Sequence, residues 1–422
     1  MHFEIETSEK VPLFFLCILK KNRGTLKDMP HTRFRFLSPL VQNSLKYWPV
    51  ICLVGARQVG KSTLLKRLDH RSYLTLDDPG TAQLASSNPQ SILKPPCSLD
   101  EVQKAPLLFD AVKLDVDQEK RPGKFILTGS VRFSNRTLIR ESLTGRAKTV
   151  QLFPLTCAEA AELEFENRWQ AQTTQTFQVR VQRKLFERIL KNGGMPAIFS
   201  ARSAAEVDSY WRSLIDSYVY RDLLFSVPKN AKPALALRIL KAIAEILALG
   251  ELPTFSRILK KTGGTRSQAE KHLIGLEDLM VLQRVSSLDA SASLDIFLPF
   301  DTAFFLSLLE ISNPQHDSAV HMACLQIRLL QEFLATQHYA DVPSSLCYAE
   351  SPQGRPVQLI TKDRKGKFHL YQITEEPVPH HYDVRFLISL SKKLKGEPYV
   401  LSSTQVPLSA HSVSIQPWEA VL

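Results

Sequence analysis

The stretch Val50-Ile51-Cys52-Leu53-Val54, followed by Gly55-Ala56-Arg57-Gln58-Val59-Gly60-Lys61-Ser62, decides how this chain is read. The first five residues form a continuous apolar run of strand length, the pattern of a strand buried on both faces of a parallel sheet. The next eight match G-x-x-x-x-G-K-[ST]. Polyphosphate oxygens need several backbone N–H groups converging on one point, and glycines let the chain curl tightly enough to aim them there. A helix opening near Gly60 adds its unpaired N–H groups and the positive end of its dipole. Lys61 supplies a movable positive charge to the β- and γ-phosphates, and the Ser62 hydroxyl is of the type that ligates Mg²⁺. Gly55, Ala56, Arg57, Gln58, Val59, Gly60, Lys61, Ser62 and Thr63 are therefore the candidate phosphate cradle. The competing reading is a strand-to-helix turn without a ligand.

Working outward, residues 73–76 and 97–99 read as strands, the first closing on a turn signal at Asp77-Asp78-Pro79-Gly80. Residues 124–128 are a third, ending at Gly129. Strands alternating with helical patterns indicate a parallel, helix-covered sheet. The second strand runs into Asp100-Glu101, where a phosphate-hydrolysing site needs a carboxylate pair. Asp100 would hold Mg²⁺ through water and Glu101 would polarise the attacking water. Thr128 stands at the next strand end as a sensor of the γ-phosphate or lytic water, the alternative being an ordinary turn. Arg132, Arg136, Arg140 and Arg146 follow. Arg146, after Leu143-Thr144-Gly145, is the favoured charge-stabilising arginine, acting in cis or on a neighbouring subunit of an oligomer.

The chain has 422 residues, enough for two to four domains. Its 44% hydrophobic and 23% charged content excludes a wholly disordered or membrane-embedded chain. A net charge of +11 permits a polyanionic partner without demanding one. None of the six cysteines forms a C-x-x-C pair or a zinc spacing, which points to small buried hydrophobes in a reducing compartment. The apolar run at 11–19 is too short to span a membrane and poorly flanked for a secretion signal, so a cytoplasmic protein is expected. Residues 1–28 do not read as the start of a domain. They are either an extension upstream of a true start at Met29 or a loosely attached arm.

Beyond Pro154 the sheet signal fades. Residues 179–192, 204–225 and 231–249 read as helices. Residues 253–261, a Gly263-Gly264 turn and a helix from Thr265 follow, with Thr265 and Gln268 at capping-box spacing. Two short strand-like pieces near 281–285 and 294–297 complete a winged-helix pattern. A helix at 319–336 then precedes strands near 357–360 and 369–373.

Together these motifs resemble a family of bacterial and archaeal AAA-type P-loop ATPases with a C-terminal region of unknown function. The resemblance runs through the cradle, Tyr73-Leu-Thr-Leu-Asp-Asp-Pro79, Leu99-Asp-Glu-Val-Gln-Lys-Ala-Pro106, Phe125-Ile-Leu-Thr-Gly-Ser130, Ser142-Leu-Thr-Gly-Arg146, Phe153-Pro-Leu155, Gly193-Gly-Met-Pro196 and Tyr218-Val-Tyr-Arg-Asp-Leu223. It implies ATP as the nucleotide; the spacing alone implies only a phosphate site. It also implies a restriction-nuclease-like end with metal-binding carboxylates and a lysine. Here Gln358, Gln372 and Thr374 stand at those positions, and neutral amides do not replace charged ligands for a hard dication. That region is expected to be inactive as a nuclease.

The resulting expectation is an α/β fold: a P-loop parallel sheet with helices on both faces at 29–157, a helical lid or linker at 158–228, a winged helix at 229–310, and a small nuclease-like α+β domain at 311–422. The expected activity is Mg²⁺-dependent ATP hydrolysis that rearranges the C-terminal domains on a protein client or DNA. The alternative is an ATP-controlled DNA- or protein-binding switch with negligible hydrolysis. The second helix of the winged-helix pattern carries Arg266 and Lys271 against Glu270, Glu277 and Asp278, which favours partner docking over DNA contact. An excess of Arg and Lys across 355–395 is a possible polyanion surface or a solvated face.

Overall fold

The computed structural model describes residues 33–422, apart from 69–70, 133–142, 170–179, 200, 202, 228–230, 290–293 and 344. The expectations for residues 1–28, Arg136 and Arg140 lie outside the described residues.

After a helix, α1 (Leu37–Ser44), the apolar run forms β1 (Val50–Val54), buried at all five positions. The glycine loop leads into α2 (Lys61–Leu65), then β2 (Ser72–Thr75), α3 (Pro79–Ser87), β3 (Cys97–Asp100), α4 (Leu107–Gln118), β4 (Phe125–Gly129) and β5 (Ala147–Gln151). The five strands form one sheet in the order β2-β3-β4-β1-β5, and every pairing is parallel. The expected P-loop type of sheet is therefore present, with β1 at its interior. One local reading is corrected and one strand is added. The expected turn at 77–80 opens α3 instead: Asp78 caps it by accepting from Thr81 N, and Pro79 takes the first-turn place where no N–H is needed. The edge strand β5 had no apolar run to announce it, because it is only partly buried and carries Lys148 and Thr149.

A short helix, α5 (Cys157–Ala160), ends the first unit, and α6 (Arg183–Asn192) and α7 (Ala204–Ser217) follow. The continuous helix expected over 204–225 is broken by a π turn at Tyr218–Asp222 before α8 (Leu223–Ser226). Next come α9 (Pro233–Ala248), α10 (Phe255–Thr262) and α11 (Arg266–Asp278), the last capped by Thr265. Strands β6 (Leu282–Ser287) and β7 (Ile296–Pro299) then pair antiparallel. Two further helices, α12 (Thr302–Leu308) and α13 (Ser318–Tyr339), lead into the C-terminal part.

That part comprises β8 (Ser345–Glu350), β9 (Pro356–Lys362), β10 (Phe368–Ile373), α14 (His381–Leu394), β11 (Glu397–Ser402), β12 (Leu408–Ala410) and β13 (Val413–Pro417). Because β6 also pairs parallel with β8, the hairpin belongs to a mixed eight-stranded sheet, β12-β13-β11-β10-β9-β8-β6-β7. Residues 229–310 and 311–422, expected as separate units, thus share one sheet.

Helix α13 braces the first sheet. His338 Nε2 accepts from Gln151 N at 2.7 Å, and the Tyr339 hydroxyl accepts from Phe153 N at 3.0 Å. Burial pushes the His338 imidazole down to about 4, so the ring stays neutral and keeps that lone pair for Gln151. Deeper in, the Arg328 guanidinium pairs with Glu332 and donates to Leu155 O at 2.7 Å. The glycine pair at 193–194 fits this interior. A Cβ on Gly193 would sit 2.1 Å from Asp301 Oδ1, and one on Gly194 would sit 2.8 Å from Leu155 O.

Asp301 is fully buried and accepts from Gly194 N at 2.7 Å and Ala303 N at 2.9 Å. Burial raises its carboxyl to about 6 despite these bonds. Between about pH 4 and that value the folded chain holds a proton that the unfolded chain has released. The stability this group contributes is thus fully present below about pH 4 and is lost as the pH rises through about 6. Urea midpoints taken across this window should fall more with pH in the wild type than in Asp301→Asn. Parallel pH dependences in the two proteins would contradict it.

Candidate nucleotide site

Parallel strands all point their C-terminal ends the same way, so the loops after β1, β3 and β4 meet at one edge. The glycine loop curls there through two positive-φ residues, Gln58 at 64° and Gly60 at 105°. Gly55 allows the close approach at the loop's base, since a Cβ there would lie 2.6 Å from Leu152 O. Arg35, buried on the segment before α1, pins the loop from outside by donating Nη1 to Val59 O at 2.9 Å and Nε to Glu159 at 3.1 Å.

Lys61 is 5% exposed. Its Nζ donates to Gly55 O at 2.8 Å, Ala56 O at 3.1 Å and Ser130 Oγ at 3.2 Å. Burial depresses its pKa, against the raising effect of Glu101 and Asp100. Ser130 Oγ in turn donates to Glu101 Oε1 at 3.3 Å, and Gln103 Nε2 donates to the other Glu101 oxygen. Glu101 adopts a left-handed conformation, φ 58°, which turns the chain away from the strand and toward Gln103.

Asp100 is 2% exposed. Tyr73 donates to its Oδ2 at 2.7 Å, and Thr128 to its Oδ1. Burial pushes this carboxyl up, but hydrogen bonds from Ser62, Thr128 and Tyr73 and the charge of Lys61 outweigh that, so it lies below the ordinary carboxylate value. The Ser62 hydroxyl and the Asp100 carboxylate are thus neighbouring hard oxygen donors, a set that suits Mg²⁺. Thr63 is exposed at the start of α2.

The structure thus brings together Lys61, Ser62, Asp100, Glu101 and Thr128. Thr128 faces Asp100, and it is Ser130 that meets Lys61 and Glu101. Arg146 is not brought in. Its carbonyl accepts from Val50 N at the entry end of β1, the opposite edge of the sheet. Five residues of strand put it about 13 Å from the phosphate edge at roughly 3.3 Å per residue. Its guanidinium is bound to Asp117 at 2.7 and 2.8 Å. The expectation that Arg146 acts in cis is corrected on this ground.

Arg35, Tyr73, Gln103 and Ser130 were missed as site residues. Tyr73 and Ser130 lie inside quoted motifs but meet partners from other elements, whereas Gln103 meets Glu101 two residues away within its own motif. In the second sheet, Gln358 bonds both backbone groups of Ile373, at 2.9 and 3.5 Å. Gln372 Nε2 donates to Asp383 O at 3.1 Å, and Thr374 Oγ1 accepts from Glu376 N at 3.2 Å. All three polar side chains at the expected nuclease positions bond backbone. Among the described residues, no group of three or more His, Cys, Asp or Glu is placed to hold a metal, and no helix is long and apolar enough to cross a membrane.

Residues 47–161 match the family model described as "AAA domain". This stretch is an AAA-type P-loop domain. Beyond the AAA domain, residues 183–296 match a domain of unknown function. Uncharacterized proteins of Mycobacterium tuberculosis and Mycobacterium bovis are 26% identical over 298 residues, which is 60% of this chain and 62% of theirs. The chain therefore spans about six-tenths of the length of these relatives. Among solved structures, the Walker-type ATPase paby2304 of Pyrococcus abyssi is similar at 17% identity and a TM-score of 0.43, over 65% of this chain and 94% of that one. The Holliday junction branch migration motor RuvB of Thermotoga maritima is similar at 15% identity and a TM-score of 0.29, over 62% and 90%. AMPPCP-bound DnaA of Aquifex aeolicus is similar at 12% identity and a TM-score of 0.28, over 57% and 85%.

Proposed function

We propose that this protein binds ATP with Mg²⁺ at the AAA domain and hydrolyses it, using the nucleotide cycle to move the helices and second sheet that follow on a partner macromolecule. The observation that carries the reading is the line Lys61 Nζ–Ser130 Oγ–Glu101 Oε1, with steps of 3.2 and 3.3 Å, beside the Asp100 carboxylate. A cation for the phosphates, a hydroxyl for the γ-phosphate region and a base for water stand in one row. Ser62 and Asp100 would hold the Mg²⁺, which supplies charge neutralisation for the phosphate oxygens. The P-loop amides and Lys61 bind and orient the triphosphate. Glu101, held by Ser130 and Gln103, takes the proton of the attacking water.

The partner is proposed to be a protein rather than DNA. On α11 Arg266 is paired with Glu270 at 2.8 Å, and beside it Arg284 of β6 is paired with Glu277 at 2.6 Å. Cations already matched to carboxylates leave little net charge for a phosphate backbone.

The test is phosphate release from ATP by the purified chain, with and without Mg²⁺. Mg²⁺-dependent turnover supports the proposal, and failure to bind or hydrolyse ATP would sink it. The second sheet is proposed to lack nuclease activity, so supercoiled plasmid incubated with Mg²⁺ or Mn²⁺ should stay intact. Cleavage that disappears on changing residues of β9 or β10 would overturn this.

A further inference from the structure

One connection between the P-loop and the helices beyond it plays no part in the hydrolysis just described. Arg57, on the crest of the loop, places Nη1 at 3.2 and 3.3 Å from the two oxygens of Asp222. The Tyr218 hydroxyl donates to Arg57 O at 3.2 Å. Tyr218 and Asp222 bound the π turn, and its wider winding presents both side chains to the loop at once. The Asp222 side chain is 6% exposed and Arg57 28%, so the pair is largely shielded from solvent.

The segment that carries Asp222 has no slack on its other side. A Cβ on Gly275, in the middle of α11, would lie 2.5 Å from Val227 Cγ2 and 3.2 Å from Leu223 Cδ1. A shift of 222–227 toward α11 therefore pushes on it, and a shift away leaves Gly275 uncovered. A second contact grips the same helix from the far side of the site. Arg132 N, two residues past Ser130, donates to Asp278 O at the end of α11 at 2.8 Å. The loop itself has reason to move when anions arrive. The Lys61 ammonium is bonded to Gly55 O and Ala56 O, and phosphate oxygens compete for it directly beside Arg57.

We propose that Asp222 is a positioning residue acting through Arg57: it ties the P-loop to the 218–227 segment, so that polyphosphate binding at Lys61 is transmitted to α11. This rests on the nucleotide reading above and adds the route by which the second unit senses it. An interaction that differs between two states shifts their balance only by that difference, so removing it should weaken the response more than the binding.

The test is hydrogen exchange of the full chain with and without ATP and Mg²⁺, read at peptides covering 218–227 and 266–278. In the wild type ATP changes exchange in both. In Asp222→Asn, ATP affinity should change by less than about threefold while the ATP-induced change at 266–278 falls by at least about half. Asp222→Glu, which keeps the charge, should restore much of it. A full response at 266–278 in Asp222→Asn overturns the proposal. So does loss of ATP binding by a folded Asp222→Asn, which would put the residue in the nucleotide site itself. Should Asp222→Asn not fold, Tyr218→Phe removes one hydroxyl from Arg57 O with little change of volume. A diminished response there supports the route, and an intact one overturns it. If the wild type itself binds no ATP, the nucleotide reading has failed, and that result is separate from any behaviour of the variants.

Discussion

Lys61→Ala is expected to lose nucleotide binding while remaining folded. The ammonium is buried at the base of the loop, within 3.2 Å of three oxygens that belong to the loop and to Ser130. A side chain that gathers carbonyls in this way already pays the desolvation its pKa depression reports, and phosphate oxygens are stronger acceptors than those carbonyls. Each charge-assisted bond to a phosphate is worth about 1.5–3 kcal/mol, and two of them amount to roughly 10²-fold or more in affinity. Lys61→Arg should not rescue, since a planar fork does not fit a pocket formed around a point charge. Titration with a fluorescent ATP analogue, with thermal melting as the folding control, reads the outcome. Binding by Lys61→Ala within about threefold of wild type would remove Lys61 from the site.

Glu101→Gln is expected to bind ATP normally and to turn over about 10²–10⁴-fold more slowly, the usual contribution of a positioned general base. The substitution is nearly isosteric. The amide oxygen can still accept from Ser130, and the backbone at φ 58° is no less tolerable for Gln than for Glu. The change removes the charge and the capacity to take a proton, and the Gln103 side-chain amide can turn its otherwise unpartnered oxygen to the new N–H. Single-turnover phosphate release, set beside equilibrium binding, separates the two steps. Equal hydrolysis by the two proteins would mean that the base lies elsewhere.

These two residues and the loop around them were legible because their signal is local. Glycine spacing, an apolar run before it and an acidic pair at the end of β3 survive in one dimension, since each reports a requirement at its own position. The parallel sheet followed from the same runs. Strand β5 was not legible, because an edge strand half exposed to solvent needs no apolar run and Lys148 disguises it. The π turn was hidden for a different reason. Residues 204–225 satisfy helical periodicity, and the wider turn shows itself only in space, where Tyr218 and Asp222 both reach Arg57, over 160 positions earlier in the chain.

By itself, then, the amino-acid order determined that a glycine loop of P-loop spacing sits at the exit of a buried parallel strand, with an acidic pair at the end of another strand. Only tertiary structure decided that Ser130 meets the lysine, while Thr128, expected to face the γ-phosphate or the lytic water, bonds Asp100. It also decided that Arg146 stands at the far edge of the sheet. Side chains alternate along a strand, and strand direction assigns each end to one edge of the sheet. Thr128 lies within β4 and Ser130 just past its end, so where a strand stops, and the sense of its pairing, moves a candidate into the site or out of it.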